Sequence, residues 1–308
     1  MLIDQARVEG LARAIRRAVR PGDVVLDLGA GTGLLAFLAC RSGAARVYAV
    51  EQGPIADLAR DLAKANGLAD RVTVLHGHST RVELPEPVDL ILSETIGSFG
   101  LEEDLLESLE DARQRLLRPG GRILPDRLQL WAAPTEESPA PDGWAALVEQ
   151  RWGLSFVPLE LLGRHLTGHL RAAPERLLAE PRILVDLDLH LPRPATVAGT
   201  AEYRVERAGL LAGWVGWFSA WFEGEAFLSA APPIRFTSWD NAFFPVTEPV
   251  AVEPGELLEW TVERMRPFFR WRIYIPGRGI DDTLSDFLSY PPSSFRPPVD
   301  RPDRKASQ

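Results

Sequence analysis

The chain has 308 residues, enough for two domains of roughly 150 residues each. Its 34 basic and 43 acidic side chains leave a net charge of −9, which excludes the basic footprint of a general nucleic-acid binder. A single cysteine excludes a disulfide framework and a cysteine-built zinc site, and 45% hydrophobic with 25% charged residues excludes global disorder. The opening residues carry no apolar stretch of a secretory signal. The longest uncharged run, Gly209 to Phe222, falls short of the ~20 residues that span a bilayer. A soluble, cytoplasmic protein is expected, with neither a membrane nor a nucleic acid as partner.

Asp4 to Val19 carries Val8, Leu11, Ala12, Ile15 and Val19 at helical spacing, and Pro21-Gly22 ends it. Val24 to Leu28 reads as a central parallel strand buried on both faces. A glycine-rich turn follows, then a helix near Leu34 to Cys40, a strand over Arg46 to Glu51 and a helix over Ile55 to Ala65. Strands over Arg71 to His76 and Val88 to Ser93 come next, then a helix over Glu102 to Leu117 stopped by Arg118-Pro119-Gly120-Gly121. This alternation is the signature of βαβ units and predicts a Rossmann-like α/β domain over residues 1–125.

After Pro125 the texture turns to β. Strands are expected at Arg127 to Ala133, Arg182 to His190, Gly199 to Val205, Trp214 to Phe222 and Leu257 to Arg264. Residues 126–290 therefore form a β-rich domain, interrupted over about 144–178 by a helix-leaning arm with Trp152, Leu161, Leu162, Leu166 and Leu170 as apolar anchors. Residues 291–308, rich in proline, serine and charge, are expected to be a disordered tail. The aromatic run Trp214, Trp217, Phe218, Trp221 and Phe222 reads as core. His165 and His169 have the spacing of ligands on one helix, but no third ligand type accompanies them, so no metal is expected.

The first strand leads into Asp27-Leu28-Gly29-Ala30-Gly31-Thr32-Gly33. A strand that enters glycines and leaves as a helix brings backbone N–H groups close to a ligand at the helix N-terminus. A dinucleotide fingerprint would need glycine at position 34, where Leu34 stands. The G-x-G-x-G spacing with Asp27 upstream resembles class I S-adenosyl-L-methionine (SAM) methyltransferases. Glu51 ends the second strand, where a carboxylate can accept both hydroxyls of a ribose.

The fourth strand runs into Ser93-Glu94-Thr95-Ile96-Gly97, and Glu103 follows across a glycine-bearing loop. Ligands of open α/β sheets lie outside the carboxyl ends of the strands, so Glu94 should face the cofactor crevice. Two carboxylates converging there repel each other unless a cation lies between them, and a planar, permanently charged guanidinium fits such a pair. Glu102 and Asp104 are read as stabilising the following helix N-terminus.

Ser93, Glu94, Gly97 and Glu103 match the S-E-x-x-G-x(5)-E loop of the protein arginine methyltransferase family, which the chain resembles. Met1-Leu2-Ile3-Asp4-Gln5-Ala6-Arg7 is similar to that family's M-L-x-D-x-x-R helix, Leu124-Pro125-Asp126 to its strand-opening P-D, and Thr237-Ser238-Trp239 to its T-H-W loop. The resemblance spans roughly residues 1–265. It implies SAM as cofactor, a barrel-like second domain and a homodimer built through the helical arm. It also implies Glu94 and Glu103 as catalytic residues and Arg7 as partner of the cofactor carboxylate. Asp27, Gly29, Gly31, Gly33, Glu51 and Ser79 complete the cofactor set, and Asp4, Ser238 and Trp239 the substrate loop.

The sequence departs from the family at three places. The family's aromatic helix preceding the M-L-x-D motif is missing, so an upstream start or a more open pocket is expected. Ser238 stands for the histidine that pairs with the aspartate matching Asp4, and Thr80 for a frequent glutamate near the adenine. The leading expectation is methyl transfer to a guanidino nitrogen of protein or peptide arginine. The alternatives are a small-molecule amine, guanidine or hydroxyl as acceptor, and a SAM-binding protein without catalysis.

Overall fold

The computed structural model describes residues 1–139, 143–194, 196–233, 238–265 and 269–285. The expected tail at 291–308 lies outside the described residues. Helix α1 (Gln5–Ala18) buries Leu11, Ala14, Ile15 and Ala18 along one face. Strand β1 (Val24–Leu28) is buried at every position. Then follow α2 (Leu34–Arg41), β2 (Arg46–Glu51), α3 (Ile55–Ala65), β3 (Val72–His76), β4 (Val88–Ser93), α4 (Leu105–Arg115) and β5 (Leu117–Leu124).

These five strands form one parallel sheet in the order β3-β2-β1-β4-β5. The chain moves one way from β1 to β3 and returns to the other side of β1 with β4. A crevice therefore opens beyond the carboxyl ends of β1 and β4, the usual ligand position in such sheets. The glycine turn leaves β1 there, and Glu94 leaves β4 beside it.

The second half contains β6 (Arg127–Thr135), α5 (Trp144–Trp152), α6 (Val157–Gly163), β7 (Gly168–Leu170), β8 (Arg182–Asp188) and β9 (Ala198–Arg204). After them come β10 (Gly209–Phe222), β11 (Glu225–Ser229), β12 (Asn241–Val252), β13 (Leu257–Arg264), β14 (Phe269–Ile275) and β15 (Ile280–Ser285). One sheet runs β7-β12-β10-β6-β8 with β11 on β10, and a second runs β15-β14-β13-β9. Aromatic rings fill the space between the two sheets. Trp214 stacks on Trp260 at 5.7 Å, and Phe244 meets Trp260 and Trp271 edge-on at 5.1 and 5.5 Å.

The halves are joined by close packing as well as by the chain. Gly10 of α1 lies so near β11 that a Cβ there would come within 2.4 Å of the Phe227 carbonyl oxygen. Gly216 of β10 leaves room for the ring of Phe99 from the β4–α4 loop, which a Cβ would meet at 2.6 Å.

Several expectations change. The β-rich half closes no barrel among the described residues; it is two antiparallel sheets facing each other. The helix expected at Glu102–Leu117 is shorter, and Leu117–Leu124 is instead the edge strand β5, where Pro119 is tolerated because no neighbouring strand needs its missing N–H. The arm is α-helical only as far as Gly163, with a single 3-10 turn later at Pro174–Arg176. His169 sits in β7, paired with Ala242, so His165 and His169 share no helix. The aromatic run is core: Trp214, Trp217, Phe218 and Phe222 are buried in β10.

Candidate active site

Gly29, Gly31 and Gly33 all adopt positive φ (+70, +53 and +86), a sequence of left-handed residues that side chains disfavour. The N–H groups of Gly29 and Ala30 donate to the Val50 carbonyl at 3.0 and 2.9 Å, which ties the turn to β2. Glu51 completes the tie: its Oε2 accepts from the Gly31 N–H at 2.9 Å and its Oε1 from the Gly53 N–H at 2.6 Å. A carboxylate has lone pairs beyond those two, so ribose hydroxyls can still donate to it. Asp27 does not face the crevice. It is 1% exposed, and its Oδ2 accepts the Ala36 N–H at 3.0 Å, fastening β1 to the first turn of α2. Burial pushes its carboxyl up to about 7; the Ala36 N–H opposes this, and the charges of Glu94 and Glu51 add to it.

Glu94 extends from the end of β4 and is 7% exposed. Both of its oxygens lie 2.5 Å from Nη2 of Arg7, which reaches in from α1. The Arg7 guanidinium also lies 3.8 Å from the ring centre of Trp239, and its Nη1 donates to Ser238 Oγ at 3.3 Å. Trp239 is fixed in turn by its Nε1, which donates to the Ile96 carbonyl at 3.0 Å, and by Phe218 edge-on at 4.9 Å. Burial pushes the Glu94 carboxyl up to about 7, against the pull of Arg7.

A cavity of about 530 Å³ brings together Arg7, Gly29, Glu51, Ser79, Glu94 and Glu103. That volume falls in the ~300–1,000 Å³ range of small-molecule pockets. The donor set suits an adenosyl amino acid: a carboxylate for the ribose, a hydroxyl and an imidazole near the base, and a guanidinium for the amino-acid carboxylate. The arrangement can also place two carboxylates around an incoming cation at one end of the cavity.

The same chemistry runs through proteins of similar sequence. A family of methyltransferase domains matches residues 25–121. The protein arginine N-methyltransferase PRMT10 of Oryza sativa subsp. japonica is 32% identical over 295 residues, covering 83% of this chain and 77% of its own. Protein arginine N-methyltransferase 6 of Xenopus tropicalis is 32% identical over 268 residues, covering 82% and 78%. The arginine N(omega)-methyltransferase of Streptomyces achromogenes subsp. streptozoticus is 31% identical over 269 residues, covering 84% and 73%.

The chain belongs to the protein arginine N-methyltransferase family. The fold agrees. The Trypanosoma brucei PRMT1 enzyme–prozyme heterotetramer with AdoHcy superposes with a TM-score of 0.81 at 22% identity, over 92% of this chain and 96% of that one. Protein arginine methyltransferase 10 of Arabidopsis thaliana, in an open conformation, gives 0.76 at 26% identity over 92% and 95%.

Within this arginine methyltransferase framework, the serine at the loop-histidine position keeps the aspartate partner. Ser238 donates to Asp4 Oδ2 from its N–H at 2.6 Å and from its hydroxyl at 3.0 Å. Thr237, beside it, lies outside the described residues. Gly31 and Gly33 shape the turn without lining the cavity, as Asp27 does. Glu102 binds its own loop rather than the helix end, accepting the N–H groups of Phe99 and Leu101 at 2.6 and 2.8 Å. Gln52, Gly77, His78, Thr95 and Ser108 also lie on the cavity wall, and the sequence motifs assigned no role to Gln52, Gly77, Thr95 or Ser108. Gln52 and Gly77 directly follow strand ends, a positional signal that was readable; Ser108 lies on α4 and carried none.

Proposed function

We propose that the protein transfers the methyl group of SAM to a terminal guanidino nitrogen of arginine in a protein or peptide. The observation that carries this reading is the environment of Glu94. A buried carboxylate at a strand end presents both oxygens to a guanidinium, that of Arg7, beneath the face of Trp239. It is a guanidinium site by chemistry, and Glu103 lies on the same cavity.

When bound, the cofactor supplies a sulfonium methyl open to in-line displacement. Catalysis then rests on positioning and electrostatics. Glu94 and Glu103 hold the acceptor guanidinium and draw its positive charge toward their oxygens, leaving the remaining terminal nitrogen more nucleophilic. That nitrogen gains the methyl and sheds a proton, which a Glu94 oxygen, raised to about 7, is able to accept. Glu51 orients the ribose, and Arg7, displaced from the Glu94 oxygens by the acceptor guanidinium, turns to the cofactor carboxylate.

A second acceptor, a free guanidino compound, is favoured by the similarity to the Streptomyces arginine N(omega)-methyltransferase. We also propose a homodimer joined through the arm, because Leu147, Trp152, Leu154 and Leu159 of that segment are more than half exposed.

The test is transfer of labelled methyl from SAM onto fractionated host lysate, followed by acid hydrolysis. Methylarginine in the protein fraction is expected; label confined to small molecules would favour the second acceptor. Glu94→Gln and Glu103→Gln should each abolish most transfer, with the double variant little worse than the worse single one. Full activity in Glu94→Gln would overturn the arginine reading.

A further inference from the structure

Glu103 has no hydrogen-bond or ion-pair partner of its own among the described residues, yet it lines the same cavity as Glu94 and its charge acts on the Glu94 carboxyl. An unheld carboxylate must have its direction set by its backbone, and that backbone is gripped from the other domain. Arg264, the last residue of β13, is 5% exposed at its side chain. Its Nε donates to the Leu101 carbonyl at 3.0 Å, two residues before Glu103. Its Nη2 reaches Asp104 Oδ1 at 3.3 Å, one residue after it. Both terminal nitrogens also clamp Glu107 in the first turn of α4, at 2.7 and 3.1 Å. Asp104 adopts φ +55, a left-handed conformation that a non-glycine residue holds only when its surroundings impose it.

We propose that Arg264 is the positioning residue of Glu103, holding the chain on both sides of it so that the carboxylate meets the acceptor guanidinium. The three acceptors lie on three sides of one guanidinium, so a planar five-donor fork satisfies them together where an ammonium reaches fewer. The loop's other fastenings support a single geometry. Glu102 takes the Phe99 and Leu101 N–H groups, and Phe99 is fully buried against Phe244 and Phe269 at 5.1 and 5.5 Å. Glu94, on the end of a central strand, needs no such support. Arg264 thus governs one of the two carboxylates and leaves the cofactor half alone. In its catalytic consequence this inference rests on the function proposed above.

The experiment combines Arg264→Met, Arg264→Lys and Glu103→Gln with two readouts. By amide hydrogen exchange, Arg264→Met should speed exchange in residues 97–104 at least about tenfold while residues 24–51 stay as in the wild type. In methyl transfer, Arg264→Met should lower kcat/KM for the acceptor about tenfold to a hundredfold, the scale of a misplacement near 1 Å. SAM affinity should stay within about twofold, and Arg264→Lys should fall between. In the Glu103→Gln background, Arg264→Met should cost less than about a further twofold. Effects that multiply, unchanged exchange in the loop or a matching loss of SAM affinity would each overturn the proposal. If Arg264→Met does not fold, Arg264→Met with Glu107→Gln, which also removes the less exposed of the two charges that Arg264 faces, takes its place in every arm. A wild type that methylates no guanidinium refutes the function proposed above, while the exchange arm still judges whether Arg264 holds the loop.

Discussion

Ser238 and Asp4, 234 residues apart, are joined by two hydrogen bonds to a single carboxylate oxygen, while the other oxygen of Asp4 caps α1 by accepting the Arg7 N–H at 3.0 Å. One buried aspartate thus starts the helix that carries Arg7 and holds the loop that carries Trp239. Asp4→Ala removes the cap and strands both Ser238 donors, and should cost about 1–3 kcal/mol in denaturant unfolding. Ser238→Ala keeps the N–H bond and should cost less, about 0.5–1.5 kcal/mol. Equal losses would show that the hydroxyl, not the carboxylate, organises the pair.

The pH dependence should run in opposite directions for stability and for activity. Folding raises the Glu94 carboxyl from 4.5 to about 7, through burial first. Between those values the folded chain holds a proton that the unfolded chain has released. The stability from this group is therefore complete below about pH 4.5 and is lost as pH rises through 7, on the order of 3 kcal/mol in all. Asp27 pulls the same way. The acceptor needs the carboxylate, so acceptor kcat/KM at saturating SAM should climb through pH 7. Unfolding curves across pH 4–9 should flatten in Glu94→Gln; an unchanged slope would count against the assignment.

Two glycines of the turn should respond differently to alanine. At Gly29 a Cβ would stand 2.5 Å from the Thr95 methyl, on top of a φ of +70. At Gly31 a Cβ meets nothing within 4 Å, leaving only the backbone penalty of about 1–2 kcal/mol. Calorimetric titration should show a larger loss of SAM affinity for Gly29→Ala than for Gly31→Ala. Thr95→Ser, which removes the obstructing methyl, should recover part of the Gly29→Ala loss and none of the other.

The arm's outward apolar face should carry self-association. Trp152 and Leu159 are 66% and 52% exposed. Changing both to arginine should leave the fold intact and yield a monomer by light scattering at micromolar concentration, where a dimer is expected of the parent. A parent that is already monomeric would remove the role proposed for the arm.

The parallel sheet was largely legible, since β1, β2 and β4 are near-continuous apolar runs separated by helical periodicity. The β-rich half was less so. β14 alternates buried Phe269, Trp271, Ile273 and Ile275 with outward residues, a readable pattern that the sequence reading passed over. β12 carries Pro245 and Pro249 and no clean period, and β5 hides behind Pro119-Gly120-Gly121. In such strands the partner strand, rather than local preference, supplies the order.

The sequence alone determined the cofactor half of the site, because its parts are local. Gly29, Gly31 and Glu51 lie within one βαβ unit, whose geometry is set by backbone φ and strand length. Tertiary structure decided how the acceptor end is held. Arg7 meets Glu94 across 87 residues, Ser238 meets Asp4 across 234 and Arg264 meets Leu101 across 163. Periodicity encodes none of these pairings, and the family resemblance pointed in advance only to that of Asp4 with position 238. They exist only because α1 and the two antiparallel sheets pack around the ends of β1 and β4, bringing buried charges from distant segments within hydrogen-bonding distance of one another.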